Sequence, residues 1–236
     1  MTSVLGPLTN IALALNLDPK FAKRPKEMVI MGGNVYEIGL LNVEGSSRVC
    51  YLEGVGNIDA KHTAEFNFGA DPEAAYVVLE RMRCPLTIVP WEATCFEIDD
   101  MEGKETDINN HLQLGTPLAD YLSSVTSVCR RHYAKSNKQL GFVDEVAVAY
   151  ALSSDKIVKK HRMLRASVEL SGEYTRHIFN CNQCCGIYFR ILFRGQVACA
   201  WSNKSTEDER PLVKFIISYR VELLEEMLRA AVKNSK

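Results

Sequence analysis

The sequence predicts an α/β protein, with an open, mostly parallel sheet flanked by helices. Three observations carry that prediction. Leu86-Thr87-Ile88-Val89-Pro90 is apolar enough for a strand buried on both faces. Ala75, Val78, Leu79 and Met82 keep helical spacing. Short strand-like runs of this kind alternate with longer helical patterns along the whole chain, and no solenoid-period repeat interrupts them.

The elements follow in order. Gly6-Pro7-Leu8-Thr9-Asn10 reads as a turn into a helix from Ile11 to about Leu17, capped by Thr9 or Asn10 and stopped at Asp18-Pro19. Glu27 to Met31 is a short apolar strand closed by Gly32-Gly33. Residues 34 to 63 are irregular, rich in Gly, Asn and Ser, and long enough to be an active-site loop. Asp71-Pro72 opens a helix with Asp as the cap and Pro at the first position. After the strand at 86 to 90 comes a polar loop holding Asp99 and Asp100. An amphipathic helix follows, marked by Pro117, Leu118, Leu122, Val125 and Cys129. A second apolar helix runs from Val143 to Leu152, starting at Asp144. Strands are predicted at Ser167 to Leu170 and Val213 to Ser218. Val221, Leu224, Met227, Leu228 and Ala231 form the stripe of a last helix. No linker is visible, so residues 1 to 236 read as one domain. His177 to Cys199 breaks the rhythm and reads as an atypical insertion.

The 236 residues are 47% hydrophobic and 24% charged, which suits a globular domain and excludes a disordered one. Twenty-eight basic against 29 acidic residues leave a formal charge of −1, so the basic surplus of a general nucleic-acid binder is missing. No apolar run is long enough to span a bilayer, and no secretory leader is recognisable, so a cytoplasmic protein without membrane contact is expected. The eight cysteines are then expected to be reduced, most of them as small buried hydrophobes. His177, Cys181, Cys184 and Cys185 have short metal-like spacing, but the second pair of a zinc finger is absent.

Taken together, several motifs resemble the inosine–uridine-preferring nucleoside hydrolases. They are Leu5-Gly6-Pro7-Leu8-Thr9-Asn10-Ile11-Ala12, Met31-Gly32-Gly33, Gly56-Asn57, Ala64-Glu65-Phe66-Asn67, Asp71-Pro72-Glu73-Ala74-Ala75, Leu86-Thr87-Ile88-Val89-Pro90, Val143-Asp144, and Val168-Glu169-Leu170-Ser171-Gly172-Glu173-Tyr174-Thr175-Arg176. Each alone is weak, but the ordered set covers residues 5 to 176. The resemblance implies a Rossmann-like sheet and cleavage of the N-glycosidic bond of purine or pyrimidine ribonucleosides, through an oxocarbenium-like transition state. It implies Ca²⁺ as cofactor, with the Thr9 backbone carbonyl and the Asp144 carboxylate as ligands. Met31, Asn57, Glu65 and Asn67 become the ribose-binding group. The implied partners are a small-molecule ribonucleoside and further copies of the chain in a homo-oligomer.

The departures matter as much. The family's D-x-D-x-x-x-D-D cluster, which supplies most calcium carboxylates and the catalytic base, occurs nowhere in the chain. The chain begins almost at the Gly-Pro-Leu-Thr-Asn turn, so the first βα units are expected to be missing. No catalytic base is assigned, and Ca²⁺ binding is expected to be weak because the ion needs about 6–8 oxygens. Val143 stands where many members carry a histidine that protonates the leaving base. Two functions follow: a partial, impaired nucleoside hydrolase, or a non-catalytic homologue acting as a binding or regulatory subunit.

Overall fold

The computed structural model describes residues 1–35, 64–94, 109–134, 141–171, 194–200 and 209–235. Six strands are present: β1 (Thr2–Val4), β2 (Met28–Met31), β3 (Leu86–Val89), β4 (Val158–Val168), β5 (Val197–Ala200) and β6 (Leu212–Tyr219). They form one sheet in the order β1-β2-β3-β6-β4-β5. β1, β2, β3 and β6 pair in parallel, while β4 runs antiparallel to both β6 and β5. The parallel expectation therefore holds for four strands, and the sheet as a whole is mixed. The helices are α1 (Thr9–Leu17), α2 (Phe66–Ala70), α3 (Pro72–Arg81), α4 (Pro117–Ala134), α5 (Val143–Ser153) and α6 (Val221–Lys233).

Every residue of β2 and β3 is buried, because helices cover both faces. Side chains alternate accordingly. Met28 and Ile30 of β2 join a core with Leu15 of α1 and Val78 and Leu79 of α3. Val29 and Met31 point the other way, into a core with Val146 and Ala147 of α5 and Leu224 of α6. Each fully buried leucine or isoleucine of this kind contributes about 1.5–3 kcal/mol relative to exposure.

Several elements differ from the sequence reading for identifiable reasons. β1 is too short to carry a pattern; it exists because Thr2, Ser3 and Val4 pair with Met28, Val29 and Ile30. α1 starts at Thr9, two residues early, with Leu8 at its cap and no side-chain cap bond, so neither Thr9 nor Asn10 caps it. α5 starts at Val143, which puts Asp144 in its first turn rather than at the cap. β4 begins nine residues before the predicted strand: its first half, including Lys159 to Arg162, is exposed and reads as a loop from composition alone. In α6 the buried end residue is Val232, and Ala231 is exposed. In α4, Val125 and Cys129 are exposed, so the predicted stripe is not a core stripe there.

Candidate functional site

The carboxyl end of β2 is where the candidate residues gather. Ligand sites of open α/β sheets commonly form at the carboxyl ends of the parallel strands. The chain leaves Met31 through Gly32 at φ +150° and Gly33 at φ +73°. A Cβ on Gly32 would fall 2.9 Å from the Phe68 ring, and one on Gly33 would fall 2.9 Å from Val197 Cγ2. The glycine pair thus lets the backbone approach a side-chain cluster that any larger residue would push away.

Glu65 occupies the space so created. It is the N-cap of α2 and only 1% exposed. One carboxylate oxygen accepts from the Asn67 N–H at 2.9 Å. The other accepts from the Gly33 N–H at 2.9 Å and the Phe68 N–H at 3.3 Å. Burial raises its pKa; those three N–H donors work in the opposite direction, and the charge of Asp144 adds to the rise. Asp144 and Glu65 are therefore electrostatic neighbours. Asp144 itself is exposed, and its own carboxyl is pushed up by partial burial. The next residue, Glu145, is pushed up by burial and then by the Asp144 charge.

Asn67 is also buried. Its side-chain amide donates to the Met31 carbonyl and to the Met31 sulfur, each at 3.1 Å. The structure thus joins Met31, Glu65 and Asn67 in one hydrogen-bonded unit. At a spacing of two, an extended segment would project Glu65 and Asn67 from one face. They lie instead at the cap and the second residue of a short helix, and Glu65 turns back to tie that helix to β2.

Thr9 bonds through its side chain to Asp71 rather than to any of these three residues. As the first residue of α1 its carbonyl lies inside the helix rather than in the preceding turn. Its exposed hydroxyl donates to Asp71 at 2.5 Å, and the other Asp71 oxygen accepts from the Ala74 N–H at 3.0 Å. Asn57 lies outside the described residues, as do His177, Cys181, Cys184 and Cys185.

The sequence reading overlooked Glu92 and Asn34. Glu92 is 3% exposed and accepts from the Val35 N–H at 2.9 Å; Asn34 is 1% exposed. The available signal was position: Glu92 follows β3 by three residues, at the same edge of the sheet. Burial, with the Glu92 charge adding to it, pushes the Cys199 thiol up to about 12, so this cysteine stays a neutral thiol.

The inosine-uridine preferring nucleoside hydrolase family matches residues 2–226. The chain belongs to that family. An inosine-uridine preferring nucleoside hydrolase of Leishmania major is 29% identical over 174 residues, which is 72% of this chain and 46% of the relative. Uridine nucleosidase 1 of Arabidopsis thaliana is 39% identical over 178 residues, 73% of this chain and 44% of the relative. The chain spans about half the length of these curated relatives. Among solved structures, an inosine-guanosine nucleoside hydrolase superposes with TM-score 0.64 at 24% identity, over 99% of this chain and 61% of that one. The Bacillus anthracis inosine-uridine preferring enzyme gives 0.65 at 17% identity, over 100% and 61%. These two share the fold.

Calcium is the cofactor that the nucleoside hydrolase resemblance implies. Among the described residues, no group of three or more His, Cys, Asp or Glu side chains is placed to hold a metal ion. Glu65 already accepts three backbone N–H bonds, and the Thr9 carbonyl belongs to a helix. Against about 6–8 oxygens for Ca²⁺, this donor set does not fit the ion.

Proposed function

We propose that this chain binds ribonucleosides by their sugar at the carboxyl end of β2, and that any N-glycosidic hydrolysis it performs alone is slow. The observation that carries the reading is the Met31–Glu65–Asn67 unit, with Asp144 close enough to act on Glu65 electrostatically. The match to the nucleoside hydrolase family supports the substrate class.

The groups divide the work. Asn67 uses its amide hydrogens on Met31, which leaves its amide oxygen as the acceptor for a sugar hydroxyl. Glu65 holds Gly33 and α2 in place, so it positions Asn67 and the glycine turn. Asp144 is the accessible carboxylate and accepts a second hydroxyl. Asn57 is expected to contribute to the same group. The D-x-D-x-x-x-D-D run that would activate water in relatives is absent from these 236 residues, which supports weak turnover.

Calorimetric titration with inosine and with uridine, alongside an assay of free ribose, tests both parts. Saturable binding with little ribose release is expected. In Asn67→Ala, affinity should fall about 5- to 10-fold, the worth of one or two sugar hydrogen bonds. Unchanged affinity in that variant, or no binding by the native chain, would reject the sugar site. Rapid ribose release would reject the second half of the reading.

A further inference from the structure

At the opposite end of β2 lies a recess of about 290 Å³ that the sugar site does not use. Its polar wall is a chain of five side chains, Glu27, Thr87, Tyr150, Asp155 and Lys214, drawn from distant parts of the sequence. Thr87 Oγ1 donates to Glu27 Oε1 at 2.8 Å, and the Tyr150 hydroxyl donates to the same oxygen at 3.0 Å. Lys214 Nζ in turn donates to the Tyr150 hydroxyl at 3.2 Å and to Asp155 at 2.9 Å. Thr87 and Tyr150 are buried, which is expensive for two hydroxyls unless each is bonded, as they are here. Leu86, Met163 and Leu212 supply the apolar wall.

Counting donors and acceptors shows what remains. Glu27 takes both bonds on one oxygen, so among the described residues its second oxygen is left to accept. Lys214 uses two of its three ammonium hydrogens, so one is left to donate. Hydrogen bonds to Asp155 and Tyr150 keep that ammonium protonated, against the pull of its partial burial. The formal charges facing the recess are Glu27, Asp155 and Lys214, a balance of −1, which disfavours an anion. The lysine beside the carboxylates disfavours a compact cation.

We propose that this recess is a second ligand site for a small uncharged cyclic amide. Its N–H would be accepted by the free Glu27 oxygen, its carbonyl would take the spare Lys214 hydrogen, and its ring would lie against Met163 and Leu212. The site does not rest on the sugar-binding reading and shares no residue with it.

The test uses the full chain, with selectively methyl-labelled methionine and leucine followed by NMR. The probes are 2-piperidone and uracil as uncharged lactams, with benzoate and benzylammonium as charged counterparts of similar size. Saturable shifts at the Met163 methyl are expected with both lactams and not with either charged probe. Lys214→Met, which keeps the stem and removes the donor, should weaken lactam binding at least 10-fold. Met163→Trp, which fills the recess from a half-exposed position, should abolish the lactam-induced shifts read instead at the Leu212 methyls. Asn67→Ala should leave the Met163 response unchanged, which separates this site from the sugar site. If neither lactam shifts Met163, if Lys214→Met binds as well as the native chain, or if a charged probe binds equally well, the proposal is overturned.

Discussion

The two ends of β2 each hold a glutamate, Glu65 buried and Glu27 partly buried, and they hold it in opposite ways. At the carboxyl end, Glu65 is fixed by three backbone N–H donors from a glycine turn and the first turn of α2. At the amino end, Glu27 is fixed by two side-chain hydroxyls. α5 spans both: Asp144 in its first turn raises the Glu65 pKa, and Tyr150 near its other end bonds Glu27. The difference teaches where substitution is tolerated. Backbone donors cannot be replaced one at a time, so the carboxyl end is built as a rigid unit. Hydroxyls can be removed singly, so the amino end should degrade step by step.

The largest effect should come from crowding the rigid end. Gly33→Val places a branched side chain at φ +73° and against Val197, and should destabilise the fold by about 3 kcal/mol or more in urea unfolding. A cost below about 1 kcal/mol would mean that the turn is not fixed. Next, Glu65→Ala leaves the Gly33 N–H and two helix N–H groups without their acceptor, at about 2–4 kcal/mol. Glu27→Ala strands only two hydroxyls, at about 1–2 kcal/mol. Equal costs would erase the proposed contrast.

The pH dependence sharpens the comparison. Because the folded state holds the Glu65 proton more tightly than the unfolded chain, this group favours folding most below pH 4.5, its ordinary value. That contribution is lost as pH rises from there through the raised folded pKa. Glu65→Gln cannot titrate. Its stability deficit relative to the native chain should therefore be greatest in acid and narrow towards neutrality, by urea melts between pH 4 and 8. A deficit that widens with pH would show the carboxylate to be the favoured form. The smallest effect is expected from Tyr150→Phe, which removes one of the two bonds to Glu27 and should cost about 1 kcal/mol.

Much of the fold was legible because its elements announce themselves locally. Asp71-Pro72 starts α3 as read, with the Asp71 carboxylate on the Ala74 N–H. The continuous apolar runs at β2 and β3 are buried strands for the reason their content gave. The elements that escaped are those whose identity is not local. β1 is three residues recruited by its neighbour, and half of β4 is polar yet paired on β6. At the site, motif order selected Met31, Glu65 and Asn67, and the structure joins them.

What the sequence determined by itself was the alternation of elements, the family and the set of candidate residues, because periodicity and motif order survive without coordinates. What only the tertiary structure decided was which of those residues meet and how they are bonded. Glu65 became the anchor of a glycine turn, and Glu27, Thr87, Tyr150 and Lys214, separated by up to 187 positions, became one network. Sequence spacing carries no record of such pairings, because they are made when the sheet brings distant segments to the same edge.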